Sequence, residues 1–337
     1  MASAELAFEY LAVALETVRG TAISAPTHYL PIDGMMTPTP EFFMPTESRG
    51  TLEEFYRTKK IRDGQDWSGE GGADPNYAPL VFNMAVKAVT SPTTPSGATL
   101  SRLWTFVPTQ TADDIKTATV WWGDPNAQIY RSAYSYINDF SLTWDASGSD
   151  GVMWSMGGSG QAKTKVSAPA LPAQTIGSLL VPGNAQVWLD TGSAIGTTAL
   201  TDRVVSGSFS FGKNVGQKRF AAGPAGGLNF SRIGRGKFHA ESTVKFEMAD
   251  TAQYDIFAAG TSVKLRVRLN GDLIETTAGP VDWYQYIEYD IYGVLQSPSW
   301  GDTAGTNRTL ELTIMSQYDS TLGASWALRT QNTKATI

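Results

Sequence analysis

The chain has 337 residues, of which 42% are apolar and 17% charged, with a formal net charge of −6. It has no cysteine, which excludes disulfide frameworks, zinc ribbons and thiol catalysis and suits assembly in a reducing cytoplasm. Its pI of about 5.1 excludes a general nucleic-acid binder, whose phosphate contacts need a positive surface.

The length suits two domains of roughly 150 to 180 residues each. The apolar run at residues 6–15 carries Glu9 and is flanked by Glu5 and Glu16. Without a basic segment ahead of it, it does not read as a signal peptide. No stretch approaches the roughly 20 apolar residues of a membrane span, so no membrane insertion is expected. A first helix is expected where Asp74 and Asn76 offer caps and Tyr77, Leu80, Val81, Met84 and Ala85 form an apolar stripe, with Pro79 in the first turn. Residues 90–101 (TSPTTPSGATLS) read as an inserted loop. Phe140, Leu142 and Trp144 alternate with Ser141 and Thr143, the pattern of an antiparallel strand with one wet face. Residues 162–183, with three prolines and no acid, read as a linker.

In the second half, residues 243–248, 262–270 and 309–314 alternate strictly. Asp250 is placed to cap a second helix through Tyr254, Phe257 and Ala258, which Gly260 stops. These elements suggest a duplication. Gly34 and Gly207 are 173 residues apart, as are Arg62 and Arg235, and Tyr134-Ser-Tyr136-Ile137 matches Tyr284-Gln-Tyr286-Ile287. The fold expected is mainly β: domains at 1–165 and 184–337, joined by a linker at 166–183, each a sandwich or half-barrel with one flanking helix.

Chemistry is sparse. The two histidines, His28 and His239, have no G-x-S-x-G serine to activate. The stretch 145–151 (DASGSDG) has Met156 where a calcium loop needs a bidentate Glu, so it reads as a hairpin turn. Glu288 and Asp290 share a strand face with Tyr286 and Tyr292, which suits either a glycosidase pair or the wet face of a barrel. The glycines at 223, 226, 227, 234 and 236 form no phosphate-binding motif and read as a flexible hairpin tip. No catalytic residue, cofactor or metal is assigned.

The opening Ala14-Leu15-Glu16-Thr17-Val18-Arg19-Gly20-Thr21-Ala22, then Pro26-Thr27 and Leu30-Pro31-Ile32, resembles the N-terminal signature of the tandem-domain tail tube proteins of long-tailed (siphovirus-like) phages. The closing run resembles the same family through Tyr292-Gly293-Val294-Leu295, Tyr318-Asp319-Ser320-Thr321-Leu322-Gly323 and Arg329-Thr330-Gln331-Asn332. The resemblance implies a structural virion protein and not an enzyme. It implies homotrimeric rings stacked helically into a tail tube, a lumen for DNA ejection, and no cofactor. Implied partners are further copies of the chain, the tape measure, tail terminator and distal tail proteins, and double-stranded DNA in transient, non-specific passage. The implied place is the virion tail, after assembly in the host cytoplasm. Glu288, Asp290 and Glu311 are then expected to line the lumen. Residues 42–72 and 211–240 are expected as assembly arms carrying Arg57, Lys59, Lys60, Arg62, Lys218, Arg219, Arg232, Arg235 and Lys237. Another tail component (hub, terminator or decoration protein) and a β-sandwich carbohydrate-active enzyme are the alternative readings.

Overall fold

Period-two alternation dominates the fold. The computed structural model describes residues 9–47, 57–108, 115–173, 177–212, 215–237, 239–248, 251–277, 281–302, 308–320 and 322–337. The first half contributes β1 (Tyr10–Leu15), β2 (His28–Leu30), β3 (Asp33–Pro38), β4 (Glu41–Phe43), β5 (Lys59–Arg62), β6 (Gln65–Gly72), α1 (Ala78–Ala85), β7 (Arg102–Phe106), β8 (Ala118–Asp124), β9 (Gln128–Asp145), β10 (Met153–Gly160) and β11 (Thr164–Val166). The second contributes β12 (Ala185–Asp190), β13 (Val204–Phe211), β14 (Val215–Lys218), β15 (Arg232–Arg235), β16 (Ala240–Glu247), α2 (Ala252–Ala258), β17 (Ser262–Thr277), β18 (Val281–Asp302), β19 (Arg308–Ser316) and β20 (Trp326–Asn332).

One antiparallel layer runs β18-β19-β16-β13-β9-β10-β6-β3. It contains the same four-strand unit twice. Asp33–Glu70–Ser155–Ser141 form a row across the first unit and Ser206–Lys245–Glu311–Ser299 across the second. Met36–Trp67–Gly158–Ile137 is likewise matched by Phe209–Ser242–Ile314–Leu295. In both rows β13 lies 173 residues beyond β3, from 33 to 206 and from 36 to 209. The units join edge to edge where β9 meets β13, with Leu142 opposite Phe209 and Trp144 opposite Gly207.

The long strands β9 and β18 continue into a second set of pairings. The early part of β9 pairs with β8 and β11, β8 pairs in turn with β1, and β1 with β2. The early part of β18 pairs with β17 and β20, which in turn hold β12 and β7. Between these pairings and the eight-strand layer lies one hydrophobic core that spans both halves. Its centre is aromatic: Phe209 stacks on Tyr289 at 4.9 Å, and Phe211 stacks on Trp326 at 5.2 Å and on Phe140 at 5.3 Å. Large aromatic side chains fill the interior, with Trp104, Trp121, Trp154 and Trp326 all fully buried. The segment expected as a linker is strapped down. It forms β11, buries Leu180, and lets Ser178 accept the Asp272 amide at 2.9 Å.

The helices differ in burial. All eight residues of α1 are buried, and Phe82 packs edge-on against Phe106 and Phe140 at 5.4 and 5.6 Å. In α2 no residue is buried. Asp250, expected to cap α2, lies outside the described residues; Thr251 is the N-cap. The Gly260 and Thr261 amides return to Phe257 and Ile256, and Gly260 takes φ +61°, the αL stop expected of a C-terminal glycine.

The N-terminal signature has a structural basis. Glu16, 3% exposed, accepts the amides of Gly20 at 2.7 Å and Tyr134 at 2.8 Å and the hydroxyls of Thr117 at 2.8 Å and Thr119 at 3.1 Å. Gly20 sits at φ +75° with its missing Cβ position 2.9 Å from the Tyr134 ring, so glycine is required there. Replacing Glu16 with Gln turns an acceptor into a donor facing donors. The expected cost is about 1–3 kcal/mol in a denaturant melt, the penalty of leaving buried polar groups unpaired.

Asp190 is a second such node. Burial opposes its charge, but the hydroxyls and amides of Thr197 and Thr198 hold its pKa down to about 2, and the Gly196 amide also donates to it at 2.7 Å. The contribution is therefore full above the ordinary carboxylate value near 3.8 and is lost as pH falls through about 2. Asp190→Asn should flatten the stability loss between those values in acid titrations followed by circular dichroism.

Candidate functional site, an open acidic sheet face

The eight-strand layer turns one side to the core and leaves the other open. Phe140, Leu142, Trp144, Trp154, Met156, Phe209, Val244, Leu312 and Ile314 go inward. The residues on the open side are mostly small, hydroxylated or acidic, with the exposed Met35, Met153 and Met315 among them. Thr143, Ser208, Thr243, Thr313 and Gln296 form one row across the join between the halves, and the Thr243 and Thr313 hydroxyls meet at 3.2 Å. Asp33, Asp66, Glu70, Asp139, Asp145, Glu241 and Glu311 are all exposed on this side, with Lys245 as the one cation among its described residues. Acidic side chains lie on both units, so the face is negative along its full width. The Asp145 carboxyl is held below its usual range first by the Ser147 hydroxyl. Its Oδ1 accepts that hydroxyl at 2.6 Å and the Ser147 amide at 2.8 Å, the geometry of a hairpin turn.

Of the expected lumen residues, Glu311 lies on this face. Glu288 and Asp290 do not lie on a wet face: they are 1% and 0% exposed. They sit in the early part of β18, which pairs with β17 and β20 and not with β19. Cross-strand register puts Arg266 opposite Asp290, and Arg268 and Arg329 on either side of Glu288. Arg266 grips Asp290 through two bonds of 2.7 and 2.9 Å, Arg268 reaches Glu288 at 2.6 Å, and Arg329 bridges both carboxylates at 2.9 and 2.5 Å. Burial works against the Arg329 charge, but Asp290 and Glu288 outweigh it and raise the pKa. Burial and then Glu288 push the Tyr286 phenol up to about 12. Both carboxylates are thus occupied as internal ion partners, which also removes the glycosidase reading. The signal for this network lay in the alternation of Arg266 and Arg268 on β17, but pairing with arginine could not be read without the register.

The expected arms are hairpins between equivalent strands: β4–β5 joins β3 to β6, and β14–β15 joins β13 to β16. Each is shorter than expected. Residues 65–72 belong to the layer as β6, with Gln65, Trp67 and Gly69 buried. In β4–β5, Lys59, Lys60 and Arg62 are exposed, with Arg62 paired to Glu41 at 2.9 Å, Lys60 to Asp63 at 2.5 Å and Arg57 to Glu47. Phe42 (52%), Phe43 (54%) and Met44 (50%) are open to solvent beside them.

The second hairpin is not a loose tip. Phe230 is fully buried against Tyr134 and Tyr136, Arg219 donates to the Asp63 carbonyl at 3.1 Å, and Arg235 to the Val86 carbonyl at the end of α1 at 2.6 Å. Arg219 and Arg235 are therefore internal ties, whereas Lys218, Arg232 and Lys237 stay exposed.

His28 is half-buried in β2, and burial followed by Lys334 pushes its pKa down to about 4. His239 is exposed beside Glu241 at the rim of the acidic face. Among the described residues no group of three His, Asp or Glu side chains is placed to hold a metal.

A layer finished on its core side, open and acidic on the other, and among the described residues unpaired along the outer side of β3 and of residues 296–302 marks a structural assembly subunit. The family model described as phage tail tube protein matches residues 9–322. The chain belongs to that family and is a structural component of the virion tail, a family whose members self-associate into a tube. No curated protein matched it.

The ion network and the open face separate experimentally. Asp290→Asn should cost about 3–5 kcal/mol, because it leaves buried arginine short of its partner. Glu311→Gln should leave the melt within about 0.5 kcal/mol of wild type, as for an exposed charge. Urea titrations of both variants make the comparison.

Proposed function

We propose that the chain forms rings whose bore is the acidic, hydroxyl-rich face of the eight-strand layer, and that stacked rings make the conduit for DNA ejection. The observation that carries this reading is the continuity of that face across both halves, with Asp139, Asp145, Glu241 and Glu311 on its open side. A repeated unit in each chain fits three chains around a ring of sixfold appearance. A negative bore repels the phosphate backbone, so DNA passes without counterion-releasing contacts that would hold it. The open ends of the stack are the places for tape measure, terminator and distal tail proteins, and assembly of this kind takes place in the host cytoplasm.

Stacking falls to the exposed parts of the hairpins. Phe42, Phe43 and Met44 offer apolar surface that a neighbour covers, and Lys59, Arg62, Lys218, Arg232 and Lys237 steer it toward acidic surface on the next ring.

Two outcomes test this. Replacing Asp139, Asp145, Glu241 and Glu311 together with Lys should leave tubes intact but make them retain double-stranded DNA in a salt-dependent way, measured by co-sedimentation; tubes that still shed DNA would contradict the bore assignment. Replacing Lys59, Arg62, Arg232 and Lys237 with Glu should preserve the melt and reduce tube length in negative stain at least tenfold. Arg219 and Arg235 are left in place because they tie the fold together. Unaltered tube length would place the stacking contacts elsewhere.

A further inference from the structure

The sheet behind the eight-strand layer has an outward face of its own, and one part of that face is concave. From this sheet Val187 on β12, Leu269 on β17, Ile287 on β18 and Leu328 on β20 enter the core. The alternate residues point the other way, and register sets them in two rows. One is Gln186–Arg268–Glu288–Arg329, and beside it runs Asn270–Tyr286–Gln331. The first row is closed by its own charges: Arg268 bonds Glu288 at 2.6 Å and lies over the Tyr286 ring at 4.5 Å. At the second row the surface sinks into a groove of about 820 Å³, bounded by Trp283 and Tyr284 on one side and by Gly183 and Asn184 on the other. That volume lies within the range of small-molecule sites.

The groove offers an aromatic face and neutral polar groups with bonding capacity to spare. Tyr284 is 41% exposed. Gln331, 3% exposed, gives its amide nitrogen to the Tyr284 carbonyl at 2.9 Å, and Asn270 gives its own to the Asn184 carbonyl at 3.0 Å. In both, the side-chain oxygen is left to accept. Gln186 is exposed at the rim. The charged groups are already engaged. Arg268 is held by Glu288, and Asp282 accepts the Thr276 hydroxyl at 2.7 Å and the Tyr284 hydroxyl at 3.4 Å. An anion therefore meets no uncommitted cation here, and a cation meets Arg268. Amides that donate and accept at once match neighbouring hydroxyls on one molecule. An aromatic ring with a wet edge matches a ligand that is apolar on one face and polar around its rim.

We propose that this groove binds a neutral saccharide, with the Tyr284 ring against the C–H face of a sugar and Gln186, Asn270 and Gln331 on its hydroxyls. The activity is binding and not hydrolysis, because Glu288 is held by Arg268 and Arg329. The proposal does not depend on the ring reading, since the site lies within one chain. In that reading the groove opens on the outside of the tube, because its sheet lies behind the layer that lines the bore.

The test is saturation-transfer NMR on the full chain with maltohexaose, cellohexaose, chitohexaose and mannohexaose, beside polygalacturonate as an acidic polysaccharide. At least one neutral hexasaccharide should bind, with a Kd on the order of 1 mM, as suits an open site with few desolvated contacts. Tyr284→Ala and Gln186→Ala should each weaken that binding at least fivefold with an unchanged melt. Tyr284→Phe should retain it, because the ring and not the hydroxyl makes the contact. Tyr318→Ala, which removes an exposed tyrosine outside the groove, should have no effect. If Tyr284→Ala fails to fold, Gln186→Ala carries the comparison, since its side chain is exposed. No transfer to any neutral hexasaccharide at about 10 mM, roughly ten times that Kd, would overturn the proposal. So would a preference for polygalacturonate, or binding that survives Gln186→Ala and Tyr284→Ala in folded protein.

Discussion

The pairing of β9 with β13 is the constraint on which the rest depends. It places the first four-strand unit beside the second, so that a single layer crosses the whole chain with one face dry and one face wet. The dry face is sealed by aromatic contacts that cross the join, Phe209 on Tyr289 and Phe211 on Phe140. Ring stacking of this kind adds to the burial of large apolar areas and favours a defined geometry. Because the seam lies within the core, the orientation of the units is set by packing and not by the segment that connects them. The wet face of the layer is thereby one continuous surface.

Charge is distributed along the same division. Carboxylates on the open face have few cationic neighbours, while those on the other pairings of β18 are closed into bonds with arginine. Glu288 and Asp290 illustrate how position along one strand decides the role of a residue type. The strand leaves one set of partners and joins another at about Gly293, and the same outward side of the strand changes from a buried ion network to open surface.

Much of this was legible in the sequence. Alternation located the strands around Phe140–Trp144, Val244–Phe246 and Leu310–Ile314, and the apolar stripe located α1, because each depends on nearest neighbours along the chain. The offset of 173 between Gly34 and Gly207 is the true offset of β3 and β13. What could not be read was anything set by register or by distant partners. The burial of Glu288 and Asp290 needs Arg329, and the anchoring of the second hairpin needs Phe230 to meet Tyr134 and Tyr136. Residues 65–72 look like a polar continuation of an arm, with Trp67 the one bulky apolar side chain among glycines and acids. Only the layer shows that glycines there allow close strand contact: a Cβ on Gly69 would lie 2.5 Å from Ile32.

The central claim is that the open side of the eight-strand layer becomes the inner wall of the tube. A reconstruction of the assembled tube at side-chain resolution tests it most directly. The account predicts Asp139, Asp145, Glu241 and Glu311 pointing into the bore, with Glu288 and Asp290 still enclosed by Arg266, Arg268 and Arg329. A bore lined instead by the β17 and β20 side of the chain, with the acidic face turned outward, would contradict it.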